Sequence, residues 1–182
     1  MYASPAPASR TAVVLQQVDQ QLAELGHDVS ALAVRDLPAR ALLAADSSDP
    51  ALAAAVELVA DAAGIVIGTP IYKAAYSGLL KVLLDVLPER ALAGKVVLPV
   101  ATGGSPAHLL AIDYTLRPVL SAMGAAHIVP GYFAHGSALP GGTRSLRACT
   151  EVFSAALESA DAGRGSPAVR AVAPPLSPAG PR

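Results

Sequence analysis

Cysteine occurs once in the 182-residue chain, as Cys149, and tryptophan not at all; there are two phenylalanines and five tyrosines. One cysteine excludes an intramolecular disulfide and fits a reducing cytoplasm. Cys149 falls in a predicted helix, where a thiol packs rather than reacts. Charge is also scarce: 15% of residues carry it, and 13 basic against 14 acidic residues give a net charge of −1. With no basic run, the chain offers little to nucleic acid or to an anionic membrane surface. No apolar stretch approaches the roughly 18 residues of a membrane span. The N-terminus lacks the basic and apolar regions of a signal peptide. The four histidines, His27, His108, His127 and His135, have no partners at metal-ligand spacing, so no metal site is expected. Neither a Walker loop nor a G-x-G-x-x-G motif occurs.

What is present is apolar material, 53% of the chain, much of it alanine. That suits one α/β domain. Ser9 and the spacing of Val14, Val18, Leu22 and Leu25 predict a helix over 9–25, stopped at Gly26. Residues 28–34 alternate and predict a short edge strand. A loop through Pro38 and Asp46–Asp49 leads to a helix over 51–62, with Pro50 in its first turn. The run Gly64-Ile65-Val66-Ile67-Gly68 predicts a buried parallel strand. A helix over 76–87, a strand over 95–101, a helix over 106–123, a strand over 126–133 and a helix over 143–160 follow. This alternation predicts a parallel sheet covered on both faces. The domain is expected to cover residues 1–162. Residues 163–182, with five prolines, three glycines and three arginines, are expected to be a disordered tail.

A helix comes first, where a doubly wound domain begins with a strand. Three residues precede Ser4, too few to cross a sheet. The loop expected after that strand is nevertheless intact. The expectation is therefore a fold whose first β-strand is missing from this chain, through a start upstream, a compromised sheet, or a gap filled by another segment.

Three loops fall at the predicted carboxyl ends of strands, where open α/β sheets bind ligands. Ser4-Pro5-Ala6-Pro7-Ala8-Ser9-Arg10-Thr11 runs into a helix; hydroxyls, an arginine and a helix N-terminus form a phosphate site, or else an ordinary cap with a solvated arginine. Pro70, Ile71, Tyr72 and Lys73 offer rigid backbone and an aromatic ring to a flat polar heterocycle, or else form a plain strand-to-helix turn. Thr102-Gly103-Gly104-Ser105 admits a ring close to the backbone, or is an ordinary turn.

Ser4-Pro5 with Ser9-Arg10-Thr11, the run Thr69 to Lys81, Ala101 to Ser105, and His108 to Tyr114 with Arg117-Pro118-Val119-Leu120 resemble the NAD(P)H-dependent FMN reductases of the SsuE type. The resemblance is dense over 62–124 and thinner on either side. It implies a flavodoxin-like three-layer α/β sandwich and two-electron transfer from NADPH or NADH to FMN. It implies FMN phosphate at Ser4, Ser9, Arg10 and Thr11, and the flavin ring held by Pro70 to Lys73 and Thr102 to Ser105. The cofactors carry hydride transfer, so no catalytic side chain is expected. The family supplies reduced flavin to monooxygenases, here of the sulfonate type, and assembles as homodimers or homotetramers.

Pro118 cannot donate to the carbonyl of Tyr114, so a kink or π-type widening is expected there. By resemblance Tyr114 is an interface tyrosine on a π-helix; otherwise it is a core tyrosine beside a kink. The helix over 76–87 is apolar around most of its circumference, which points to a subunit contact. The rival readings are an FMN-bound reductase of quinones, azo compounds or metals, an electron-carrier flavodoxin, and a non-catalytic flavodoxin-like subunit.

Overall fold

The computed structural model describes residues 1–6, 9–136 and 143–162. The apolar run at Gly64 extends further than its periodicity predicts, to form β1 (Gly64–Tyr72). It does so because a neighbour lies along nearly its whole length. The strand β3 (Val96–Gly103) pairs with it in parallel from Gly64↔Val96 to Pro70↔Thr102, and every residue of β3 is buried. Between them in sequence, β2 (Ala75–Tyr76) folds back on the end of β1 as an antiparallel hairpin.

The strand expected over 126–133 is two pieces, β4 (His127–Ile128) and β5 (Tyr132–His135), both parallel to β3. Pro99 explains the break. In the register of β3, odd-numbered residues turn their backbone groups toward β4 and β5, as when Val129 N–H donates to Val97 O. At Pro99 that edge has no N–H to give, and the neighbour departs from the ladder between Ile128 and Tyr132.

Helices cover both faces. On one side α1 (Arg10–Glu24) and α6 (Thr143–Ala162) bury Val14, Leu15, Val18, Leu22, Leu146, Phe153 and Leu157 against Val96, Leu98 and Val100. On the other, α2 (Ala39–Ala44), α3 (Pro50–Asp61), α4 (Gly78–Val86) and α5 (Arg117–Ala122) enclose Ile65, Ile67 and Val97. The N-caps follow the sequence: Ser9, Asp49 and Ser77 each accept a hydrogen bond from the first turn of α1, α3 and α4. This is the flavodoxin-like α/β sandwich.

Several expectations are corrected. Residues 39–44, expected as loop, form α2. Residues 28–34 do not form a continuous strand: Ala33 alone bridges to Tyr2, and Val34–Asp36 is a 3-10 turn. A strand needs a partner along its length, and its partner here is only the first few residues. Those residues are not too few to enter the sheet. Tyr2 bridges Ala33 on one side and Gly68 on the other, so Met1–Ala3 occupy the place of a first strand at its carboxyl end. The helix over 106–123 resolves into a 3-10 turn (Pro106–Leu109), a π-helical turn (Ile112–Leu116) and α5. On α4, Leu79, Val82 and Val86 are half-buried against the core, so its apolar girth is largely absorbed within the chain. The expected tail over 163–182 lies outside the described residues. Among the described residues no helix is long and apolar enough to cross a membrane.

Gly64 and Gly68 let the helices approach β1. A Cβ on Gly68 would stand 2.3 Å from Leu15 Cδ1 and 2.8 Å from its Cγ; on Gly64 it would stand 2.4 Å from Leu157 Cδ2. Gly68→Ala is expected to cost about 1–3 kcal/mol through overpacking, read as a drop of several degrees in thermal melting. Leu15→Ala should recover part of that loss in the double variant, whereas simple addition of the two losses would show that Leu15 is not the obstacle.

The Met1 amino group donates to Val66 O at 2.6 Å, and burial lowers its pKa from 8.0 to about 6. Burial also raises the pKa of the nearby Asp19. Between pH 6 and 8 the unfolded amine holds a proton that the folded one has released. Stability should therefore rise with pH across that window, by on the order of 1–2 kcal/mol. The raised carboxyl acts in the opposite sense, from a window that opens near the ordinary carboxylate value. Urea titrations of the chain bearing a free Met1 amine at pH 6, 7 and 8 measure the slope. Acetylating that amine should remove it.

Candidate functional site

The β1–β3 register sets Pro70 beside Thr102, so the second and third loops emerge side by side. The start of α1 reaches the same edge, where a buried hydrogen bond joins Thr11 Oγ1 to Thr102 Oγ1 at 2.8 Å. Ser77 ties the first loop to the second. Its Oγ donates to Ala3 O at 2.8 Å, and its N–H donates to Thr69 Oγ1 at 3.0 Å. All of these hydroxyl-bearing residues are buried.

Where the loops meet, they form an open hollow of about 230 Å³. The first loop contributes Ser4, Ser9, Arg10 and Thr11, the second Pro70, Ile71 and Tyr72, and the third Thr102, Gly103 and Gly104. Ala6, not anticipated, also lines it. Two expected residues stand apart from the hollow. Lys73 is exposed in the β1–β2 turn, and Ser105 caps the following 3-10 turn by accepting from Ala107 N–H at 3.4 Å.

The first loop meets both of its alternatives. Ser9 is an N-cap, accepting from Ala12 N–H at 3.1 Å. The N–H groups earlier in that turn have no acceptor within the helix, and they face the hollow with the positive end of the α1 dipole. Arg10 is not simply solvated: its Nη1 donates to Gly136 O at 2.9 Å, beyond β5. An anion at this end of the hollow would meet that guanidinium and the helix terminus together. At the other end, Tyr72 is 53% exposed and offers its ring at the rim. A Cβ on Gly103 would lie 2.9 Å from His108 and Phe133, so only glycine fits there. His108 Nδ1 is buried without a hydrogen-bond partner among the described residues, next to this loop. A phosphate-bearing group with a flat heterocycle fits this arrangement of hydroxyls, one guanidinium, an open rim and an unsatisfied polar nitrogen.

The Tyr72–Ala75 turn is strained. Lys73 and Ala74 both have positive φ, 52° and 60°, closing a two-residue hairpin that glycine or asparagine usually closes. Near Tyr114 the π-helical turn expected from Pro118 is present over Ile112–Leu116. Tyr114 is 77% exposed, so the core-tyrosine alternative fails.

Arg35 was not anticipated. Its Nη1 donates to Ala6 O at 3.1 Å, and its guanidinium lies over the Tyr2 ring at 5.6 Å. It thus clamps the first loop from outside the hollow; nothing in its local pattern separates it from a solvated arginine. Burial raises the Cys149 thiol pKa, consistent with packing rather than nucleophilic chemistry. Among the described residues no cluster of three or more His, Cys, Asp or Glu could hold a metal ion.

The family model for NADPH-dependent FMN reductases matches residues 1–140. An FMN reductase (NADPH) of Pseudomonas putida KT2440 is 52% identical over 134 residues, 74% of this chain and 68% of that protein. An FMN reductase (NADPH) of Escherichia coli K12 is 49% identical over 134 residues, 74% of this chain and 70% of that protein. Among solved structures, the apo form of the NADH:FMN oxidoreductase EMOB superposes with a TM-score of 0.79 at 40% identity, covering 94% of this chain and 91% of that one. The chain belongs to the NADPH-dependent FMN reductase family.

Ala74→Gly should relieve the hairpin strain. A left-handed alanine costs about 1–2 kcal/mol, and the added freedom of glycine in the unfolded chain returns roughly 0.5–1. The expected net gain is under about 1 kcal/mol, measured as a small rise in melting temperature. A fall would show that the alanine side chain makes packing contacts worth more than the strain.

Proposed function

We propose that this chain transfers two electrons from NADPH or NADH to FMN and releases reduced flavin to an FMNH2-dependent monooxygenase, of the sulfonate type by resemblance. The observation that carries the reading is the meeting of three loops in one hollow, in a chain of this family. Bound FMN would supply the chemistry, accepting a hydride from the nicotinamide. The side chains bind and orient. Arg10 and the N-terminus of α1 take the phosphate, with Ser4, Ser9 and Thr11 around it. Pro70, Ile71 and Tyr72 hold one side of the ring, and Thr102, Gly103 and Gly104 the other. Lys73 and Ser105 act from outside the hollow, through charge and by fixing the third loop. With no acid–base pair required, the task of the protein is alignment.

The chain is proposed to work in the cytoplasm as a homodimer or homotetramer. Exposed apolar side chains support self-association: Leu109, Leu110 and Tyr114 are 47%, 57% and 77% exposed along the segment containing the π-helical turn. Tyr114 is the proposed interface residue. A monomeric mass by light scattering of the folded chain would contradict this.

The test is oxidation of NADPH and of NADH followed with and without FMN. Oxidation should saturate with added FMN, and the purified protein should be colourless. Tightly retained FMN, with turnover only when quinone or azo acceptors are added, would select the rival reductase. Arg10→Ala should raise KM for FMN about tenfold or more, the size of a lost charged hydrogen bond, with kcat changed less than twofold. An unchanged KM would remove Arg10 from the phosphate site.

A further inference from the structure

Arg35 follows Val34, whose N–H donates to Tyr2 O at 3.1 Å. That backbone bond fixes where the arginine side chain starts, and three contacts fix where it ends. Its guanidinium lies over the Tyr2 ring, 5.6 Å from the centroid. Its Nη1 donates to Ala6 O at 3.1 Å, and its Nε donates to Asp36 Oδ1 at 3.2 Å. Only 21% of the side chain is exposed. The neighbouring carboxylate offsets part of the guanidinium charge, so what Arg35 brings to the first loop is foremost a fixed, charge-assisted hydrogen-bond donor.

Among the described residues the first loop is tied at three places. Ala3 O accepts from Ser77 Oγ at 2.8 Å, Ala6 O accepts from Arg35, and Ser9 Oγ accepts from Ala12 N–H at 3.1 Å. The outer two ties anchor the ends of the loop, to the core and to the cap of α1. The middle tie governs which way the loop turns its backbone. Ala6 lines the hollow, whereas Arg35 is not among the residues that do. The residue after Ala6 is proline, so the peptide group between them has a carbonyl and no N–H. Such a group has nothing to donate to an anion, and its oxygen, turned inward, would repel one. Bonded to Arg35, that oxygen is directed to a partner outside the hollow. The inner side of the loop is left to the hydroxyls of Ser4, Ser9 and Thr11 and to the N-terminus of α1.

We propose that Arg35 is a positioning residue for the flavin phosphate. By holding the Ala6 carbonyl outward it keeps the first loop in the form that accepts an anion, and it thereby sets the preference for FMN over riboflavin, the same ring system without the phosphate. The inference rests on the reading of the first loop as the phosphate site. Arg35 acts through Ala6 and does not itself reach the ligand. The Tyr2 ring is its platform: a planar guanidinium stacked on an aromatic face keeps one orientation while its edges donate to two acceptors. A lysine could donate to Ala6 O, but it has no plane to stack and no fixed second edge for Asp36.

The test is equilibrium binding of FMN and of riboflavin to the full 182-residue chain, followed by flavin fluorescence without nicotinamide dinucleotide. The unaltered chain should bind FMN at least tenfold more tightly than riboflavin. Arg35→Ala should weaken FMN about tenfold, the size of a lost charged hydrogen bond, and change riboflavin less than twofold. Arg35→Lys should recover part of the lost FMN affinity. Tyr2→Leu, which removes the platform and keeps the donor, should weaken FMN less than Arg35→Ala does. FMN affinity unchanged by Arg35→Ala would overturn the proposal. Equal weakening of both flavins would do the same, since it marks a general loosening of the fold. Should Arg35→Ala fail to fold, Arg35→Lys carries the same comparison, with a smaller loss confined to FMN. An unaltered chain with no preference for FMN would remove the phosphate reading of the first loop and this inference with it, an outcome visible before any substitution is made.

Discussion

The parallel pairing of β1 with β3 is the contact on which the remaining geometry depends. Its register is held by side-chain volume as well as by backbone hydrogen bonds. Gly64 and Gly68 face α1 and α6 where a Cβ would collide with Leu157 and Leu15, while Ile65 and Ile67 face the α3 and α4 side. A one-residue slip would turn those isoleucines toward helices that have no room for them. The same register carries Pro70 to the level of Thr102. Two of the three ligand loops thus become neighbours as a consequence of core packing, before any residue of the hollow is considered.

The third loop-to-loop tie is polar and uncharged. Thr11 bonds Thr102, and Ser77 bonds both Ala3 and Thr69, all within the interior. Each such bond contributes about 1 kcal/mol net, but losing one partner strands a buried hydroxyl at a larger cost. The ion pairs that are described, such as Lys81–Asp85, Arg117–Asp113 and Arg147–Glu151, lie on exposed helix faces at i,i+4 spacing. Such pairs contribute little to stability. Fixing the loops with hydroxyls rather than charges leaves Arg10 as the charged side chain lining the hollow among the described residues, so an arriving anion meets no competing carboxylate from them.

The features legible in the sequence were those with short-range causes. Ser9 marks the start of α1 because the cap bond is local, Pro50 marks the first turn of α3, and Pro118 marks the π-helical turn because it removes a particular donor. The hollow was legible for a related reason: its residues sit at strand ends, and parallel topology brings strand ends together. What escaped depended on partners distant in sequence. The alternation over 28–34 promised a strand, but a strand extends only where a neighbour extends, and Met1–Ala3 is short. The outer strand broke because of a proline in β3, roughly thirty residues earlier. Arg35 acquired its place from the carbonyl of Ala6 and the ring of Tyr2, neither adjacent in the chain.

The character of the hollow also bears on how firmly a flavin could be held. Among the described residues Tyr72 is the one aromatic residue lining it, and it is half exposed at the rim. Stacking on both faces of a flat ring requires two such side chains, and the chain has no tryptophan to supply a larger one. The remaining contacts are backbone amides, hydroxyls and one guanidinium that is already bonded to Gly136 O. Such groups orient a phosphate and a ring edge, yet each gives up hydration to do so, and the net gain per contact is small. An electron carrier must keep its flavin between encounters. A site with one exposed aromatic and no second stacking partner is instead suited to a flavin that enters oxidised and leaves reduced.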